Sequence, residues 1–175
     1  MLEKIIIAGS GGQGIMLLGK VLAEAALLSD KFITWLPAYG PEVRGGCAHC
    51  MVIISDAEIG SPHVDKADTL IIMNQASLVK FKNRLKSGGL MIVNSSLAAV
   101  EDNPEIKSVS ARFTDIAIGL GNIKVANMAA LGRYLTNKKI IAPGNIVKAM
   151  KKIAPKGQPE LLRINIEALN KGMEL

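Results

Sequence analysis

Only two cysteines, Cys47 and Cys50, occur in 175 residues, so no disulfide framework organises the chain. Aromatic residues make up 3 % of it, against 49 % for hydrophobic residues as a whole. The core is therefore expected to be aliphatic, built from Ile, Leu, Val, Ala and Met. Scarce aromatics and the lack of any known nucleic-acid-binding motif argue against a nucleic-acid partner. No uncharged apolar stretch reaches the roughly 20 residues that a bilayer span needs. The first apolar run is too short for a signal peptide and passes at once into glycines. These absences lead to the expectation of a cytoplasmic protein with no membrane contact.

What is present is a chain long enough for one domain with a sizeable core. Its charged fraction of 21 % and positive mean hydropathy are far from a disordered composition. They suit a domain that hides part of its surface against partners. The net charge of +6 is uneven: Lys138 to Leu175 holds eight Lys/Arg and three Glu, a balance of +5. Two solvated C-terminal helices account for this most simply, and a docking face for an acidic protein comes next.

Lys4 to Leu18, KIIIAGSGGQGIMLL, organises the rest. An apolar run, Ile5 to Ala8, predicts a buried strand. It breaks at Gly9 and passes through Gly11, Gly12, Gln13 and Gly14 into an apolar helix, Ile15 to Leu28. Gly9, Gly11 and Gly14 match G-x-G-x-x-G, the opening of a phosphate-binding βαβ unit. Ser29 to Lys31 ends the helix, and Phe32 to Leu36 is rich in β-formers, which completes a βαβ unit. Pro37 to Gly46, PAYGPEVRGG, holds two prolines and three glycines that exclude regular structure. Its Tyr39, Glu42 and Arg44 make it a candidate functional loop. Cys47 to Ser55 resumes as a strand, with antiparallel or hairpin pairing expected because no helix precedes it.

Further on, Ser61-Pro62 predicts a short turn and Asp68 to Met73 a buried strand. Asn74 is placed to cap a helix, Gln75 to Leu85. Ser87 to Gly89 predicts a turn, and Leu90 to Val93 a strand. Glu101 to Lys107 reads as an exposed connection, Val109 to Arg112 as an edge strand and Asp115 to Ile118 as a short helix. Asn122 is expected to cap a helix through Leu135, whose small, uncharged centre (Ala126 to Gly132) permits close packing. Pro143 to Lys152 and Pro159 to Lys171 are the last helices. The alternation predicts an open, mostly parallel, Rossmann-like α/β sheet with helices on both faces, in a single domain over residues 1–175.

The glycine turn alone is a weak signal. It offers backbone N–H groups at a helix N-terminus, where the dipole favours an anion. A dinucleotide site also wants an acid about 20 residues on; Trp35-Leu36-Pro37 stands there instead, and Glu42 is the first acid. No Gly-Lys-Ser/Thr follows, which excludes a Walker-type P-loop. Cys47 and Cys50, three apart on a strand, lie about 10 Å from each other on opposite faces, too far for a disulfide and poorly placed to share a metal. His49 reads as a packed or interface residue. No metal-ligand cluster or catalytic constellation remains.

Several segments resemble the gamma subunit of 2-oxoacid:ferredoxin oxidoreductases. They are GSGGQGI (Gly9 to Ile15), LGKVLAEAA (Leu18 to Ala26), TWLPAYGPEVRGG (Thr34 to Gly46), VIISD, EIGSP, DTLIIMNQ (Asp68 to Gln75), VNSSL, NMAALG and ELLRINIEALNKG. The resemblance spans essentially the whole chain and looks most like the 2-oxoglutarate type, with pyruvate and branched-chain types close. It implies a reaction in which a 2-oxoacid and coenzyme A give an acyl-CoA, carbon dioxide and reduced ferredoxin. It further implies alpha, beta and delta partner subunits that hold the thiamine diphosphate and 4Fe-4S clusters. Two cysteines cannot supply the four thiolates such a cluster needs, so this chain is expected to bind no cofactor alone. The resemblance makes Gly9, Gly11, Gly12, Gln13, Gly14, Tyr39, Glu42, Arg44 and Asn74 candidate contacts to CoA, substrate or a partner subunit. A free-standing NAD(P)-binding or CoA/nucleotide-binding module is the competing expectation.

Overall fold

The computed structural model describes residues 1–38, 47–100 and 106–175. Six strands, β1 (Leu2–Ser10), β2 (Phe32–Ala38), β3 (Cys47–Ser55), β4 (Ala67–Ile72), β5 (Leu85–Asn94) and β6 (Lys107–Ala111), form one sheet. Their spatial order is β2-β3-β1-β4-β5-β6. β1, β4, β5 and β6 pair parallel, while β3 runs antiparallel to both β1 and β2. The sheet is thus mostly parallel, as expected. The βαβ expectation for β1 and β2 needs correction, because β3 lies between them. β3 pairs between β1 and β2, so β2 becomes the edge.

The continuous apolar runs follow from burial on both faces. Ile5 and Ile7 of β1 point into one core, with Val52, Ile71 and Ile92. Ile6 and Ala8 point into the other, with Ile53, Leu70 and Met91. Helices cover both faces, unequally. The first core is roofed by α1 (Ile15–Leu27), α3 (Phe113–Gly119), α4 (Ala126–Asn137), α5 (Pro143–Ile153) and α6 (Pro159–Met173). The second is covered by α2 (Gln75–Phe81) and loop residues such as Val64 and Ala98.

Local chemistry sets the ends. α1 starts at Gly14, whose φ of 70° is left-handed, and stops where Asp30 takes φ 54°. Lys31 N–H then returns to Ala26 O and Asp30 N–H to Leu27 O, a Schellman closure with Asp in the position glycine usually fills. Asn74 caps α2 by accepting from Ser77 N–H at 2.9 Å. Asn122 accepts from Lys124 N–H at 3.0 Å, but what it caps is a 3-10 turn over Ile123–Val125, with α4 beginning after it.

Three further boundaries differ from expectation. β2 runs on through Pro37 to Ala38, which an edge strand tolerates because it lacks a second neighbour for the missing N–H. Ser87 to Gly89 lies inside β5. Ala67 pairs with Leu85 and Thr69 with Leu90, so Lys86 to Gly89 loops out of register, and Gly88 takes φ 72°. α2 ends at Phe81 and continues as a 3-10 turn, Lys82–Arg84. Ser61-Pro62 nucleates no helix; Ser61 Oγ accepts from His63 N–H at 3.3 Å.

The small centre of α4 packs within the chain. An added Cβ on Gly132 would meet Met173 N at 2.9 Å, and one on Gly172 would meet Ala129 Cα at 2.9 Å. α4 and α6 therefore meet backbone against backbone at this crossing.

Candidate functional site

The glycine turn sits where β1 ends, beside the ends of β4 and β5. In open α/β sheets this carboxyl edge is where ligands bind. Gly11 and Gly12 are exposed. Gly12 has φ +88° and open space where a side chain would be, whereas a Cβ on Gly14 would run into the Asn127 amide. Gly9 is excluded from bearing a side chain by Gln13 Oε1 and Ile15 Cδ1, both 2.7 Å from that position.

Gln13 changes the meaning of the turn. Its Oε1 accepts from Ser10 N–H at 2.7 Å, and its Nε2 donates to Met73 O at 3.1 Å. One backbone donor expected to face an anion is thus satisfied from within. Met73 O also accepts from Asn94 Nδ2 at 3.3 Å, and the same nitrogen donates to Thr114 Oγ1 at 2.8 Å. Asn74 Nδ2 donates to Ser10 Oγ, and Asn127 Nδ2 donates to Gly14 O at 3.0 Å. The amides of Gln13, Asn74 and Asn127 therefore lock the turn, and Asn94 holds the Met73 carbonyl that Gln13 also uses. Buried amides in an aliphatic surround are costly unless paired, and those of Asn94 and Asn127 are paired, to Met73 O and Thr114 and to Gly14 O.

A cleft of about 120 Å³ opens beside the turn, walled by Gly12, Gln13, Leu97, Thr114, Ile123 and Lys124. Leu97 is 46 % and Ile123 58 % exposed. A larger, shallow depression of about 520 Å³ lies at the opposite sheet edge, near Lys4, Ser55, Glu58 and His63. We favour the smaller cleft as the site, because it joins exposed glycines, a helix N-terminus and a lysine.

Of the sequence candidates, Gly9 to Gly14 and Asn74 are brought together here. Tyr39, Glu42 and Arg44 lie outside the described residues. The ends of their segment do not: Cys47 is in register with Ser10, and Ala38 with His49. The segment is therefore tethered at the same sheet edge as the glycine turn. Asn94, Thr114 and Asn127 were not singled out. Their signal was present in the sequence, as a polar amide closing the apolar run of β5 and another opening the uncharged centre of α4.

The two cysteines face opposite ways: Cys50 is packed in the first core and Cys47 borders the second. Burial pushes the Cys50 thiol up to about 12, so it is inert at neutral pH. Cys47 Sγ lies 3.2 Å from Ser77 Oγ. His49 packs against Phe81 in a tilted ring contact, with centroids 4.9 Å apart and the planes at 50°. Burial, then the charges of Lys80 and Arg84, lower its pKa, which keeps the ring neutral at pH 7.

The family model described as pyruvate ferredoxin/flavodoxin oxidoreductase matches residues 4–175. The chain belongs to this family. Among its relatives, a 2-oxoglutarate synthase subunit KorC from Methanocaldococcus jannaschii is 35 % identical over 179 residues, covering 100 % of this chain and 94 % of that protein. A ketoisovalerate oxidoreductase subunit VorA from Methanothermobacter marburgensis is 38 % identical over 129 residues, or 74 % of this chain. This chain spans only 27 % of that relative's length. The crystal structure of a keto/oxoacid ferredoxin oxidoreductase gamma subunit from Geobacter sulfurreducens PCA superposes with a TM-score of 0.85 at 29 % identity. It covers 98 % of this chain and 96 % of its own. The overall fold described above is therefore shared with that gamma subunit.

Proposed function

We propose that this chain is the gamma subunit of a cytoplasmic 2-oxoacid:ferredoxin oxidoreductase, one gamma-type domain over residues 1–175. The substrate we favour is 2-oxoglutarate, converted with CoA to succinyl-CoA and carbon dioxide while ferredoxin is reduced. The observation that carries this is the end-to-end match to a 2-oxoglutarate synthase subunit of nearly the same length. When bound in the assembled enzyme, thiamine diphosphate supplies the carbanion chemistry and 4Fe-4S clusters the electron path. The residues here do not fit a cluster, since Cys47 and Cys50 face opposite cores. Alpha, beta and delta subunits hold those groups.

This chain completes a site rather than performing chemistry alone. The cleft at Gly12 offers a surface that another chain or an anionic substrate approaches closely. Lys124 supplies positive charge there, and Tyr39, Glu42 and Arg44 are the candidates to act with it. Arg44 is suited to a CoA phosphate, a substrate carboxylate or a subunit carboxylate.

Purification of the native complex, with identification of its subunits and assay on 2-oxoglutarate, pyruvate and 2-oxoisovalerate, tests the proposal. The isolated chain is expected to be inactive, and co-expression with its partners to restore turnover preferring 2-oxoglutarate. Turnover by the chain alone, or a complex inert to all three acids, would reject it.

A further inference from the structure

The cleft beside Gly12 is rich in donors and has no carboxylate of its own. Thr114 lines it and is only 7 % exposed. Its N–H donates to Asn94 Oδ1 at 3.3 Å, and its Oγ1 accepts from Asn94 Nδ2 at 2.8 Å. A side-chain amide nitrogen only donates, so the Thr114 hydroxyl proton is left over, and nothing among the described residues takes it. A buried donor without an acceptor is costly. Among the described residues Gly12 N–H donates to no other backbone group, and an added Cβ there would meet nothing. The Lys124 ammonium is exposed and makes no ion pair among the described residues. α1 has neither an acid in its first turn nor a side-chain cap, so the positive end of its dipole is uncompensated. No Asp or Glu stands among the residues lining the cleft. The acid next to Thr114 in sequence, Asp115, is held by Arg112 at 2.6 Å.

We propose that this cleft is a socket for one carboxylate side chain, an Asp or Glu carried by another subunit. The proposal rests on the reading of this chain as one subunit of a complex. Size, charge and rim select that occupant over a small anion. At about 120 Å³ the cleft takes a single functional group, well short of the roughly 300–1,000 Å³ of a cofactor pocket. One lysine and no arginine match the single charge of a carboxylate, whereas a phosphate group brings about −2 and favours the forked arginine this cleft lacks. Beside the donors stand Leu97 and Ile123, both large, apolar and exposed. A partner chain covers such a rim, while a hydrated small anion leaves it bare. A buried carboxylate needs an opposite charge and further hydrogen bonds together. Lys124 supplies the first, and the Thr114 hydroxyl and the Gly12 backbone the second.

A water-soluble carbodiimide tests this on the intact complex, because it condenses a lysine amine with a carboxylate in contact and forms an amide with loss of water. Tryptic mass spectrometry is expected to find Lys124 joined to an Asp or Glu of another subunit. A complex in which Lys124 stays unlinked overturns the proposal, and so does a link back to this chain. Saturating CoA is a second arm: if it shields Lys124 and no link between subunits forms, the cleft is a small-anion site and the socket is rejected. In a Lys124→Glu complex, gamma should leave on dilution at least about tenfold faster than native. Lys148→Glu, the same charge change at an exposed position of α5, should match native. Changing the linked acid of the partner to Lys should restore retention in the Lys124→Glu complex. Equal losses from the two variants, or no rescue, overturn the socket. The link is read by mass and needs no turnover. An active complex without it rejects the socket alone, and an inert complex that carries it rejects the parent reaction alone.

Discussion

Gly12 and Gly14 share a left-handed backbone but differ in their surroundings, and substitution should separate them. Asn tolerates this backbone better than other residues. Gly12→Asn is therefore expected to change stability by less than about 1 kcal/mol, since open space surrounds it. Gly14→Asn adds a clash with Asn127 and should cost about 2 kcal/mol or more; urea denaturation of both variants checks this. Gln13→Ala leaves Ser10 N–H and Met73 O without their partner and should cost about 1–3 kcal/mol. The glycines were legible in the sequence. The role of Gln13 was not, because one letter does not tell whether a side chain folds over the turn or away from it. Asp56 carries a pH signature: hydrogen bonds from Lys31 and the N-terminal ammonium lower its pKa to about 2. A depressed carboxyl pKa stabilises the fold above the unfolded value of about 4 and loses that contribution as pH falls toward about 2. The melting temperature of Asp56→Asn should therefore lie below native at pH 6 and converge with it across that window.

Among the elements, the α4–α6 crossing was half visible. The run from Ala126 to Gly132 announced close packing, but the sequence could not say whether the other surface was the sheet, another subunit or, as found, Gly172 of α6. Gly172→Ala is expected to cost about 1–3 kcal/mol by overpacking. Gly144 in the first turn of α5 has nothing within 4 Å of an added Cβ, so Gly144→Ala should stabilise by about 0.4–1 kcal/mol. Chemical denaturation of the two variants should move in opposite directions. Most elements were legible from apolar period and caps. The four-residue excursion in β5 was read as a turn ending one element, because glycine content reports bending and not whether a strand resumes on the same line.

The whole molecule explains why a motif match and a cofactor part company. In a dinucleotide fold, the second strand lies next to the first, and its final acid reaches the ribose. Here β3 intervenes, so the end of β2 stands two strand spacings, roughly 10 Å, from β1. Even an acid placed at Leu36 would be a full strand too distant. Isothermal calorimetry of the isolated chain with NAD(H) should show no saturable binding, and a saturable heat would count against this account. The missing acid was visible in the sequence. The missing adjacency was not, since strand order is a property of long-range pairing.

The inserted strand also gives the fold an order of dependence in time. β3 is buried between two neighbours, while β2 is attached to the sheet through β3 alone. β2 can detach and leave the core standing, but β3 cannot leave without releasing β2. Amide hydrogen exchange should therefore find β2 exchanging through small local openings, with β3 and β1 protected to the limit of global unfolding. In refolding, the hairpin can close locally within microseconds, yet it becomes protected only when β3 finds β1 across an intervening helix. The segment bearing Tyr39, Glu42 and Arg44 thus joins an edge strand to one of the most persistent.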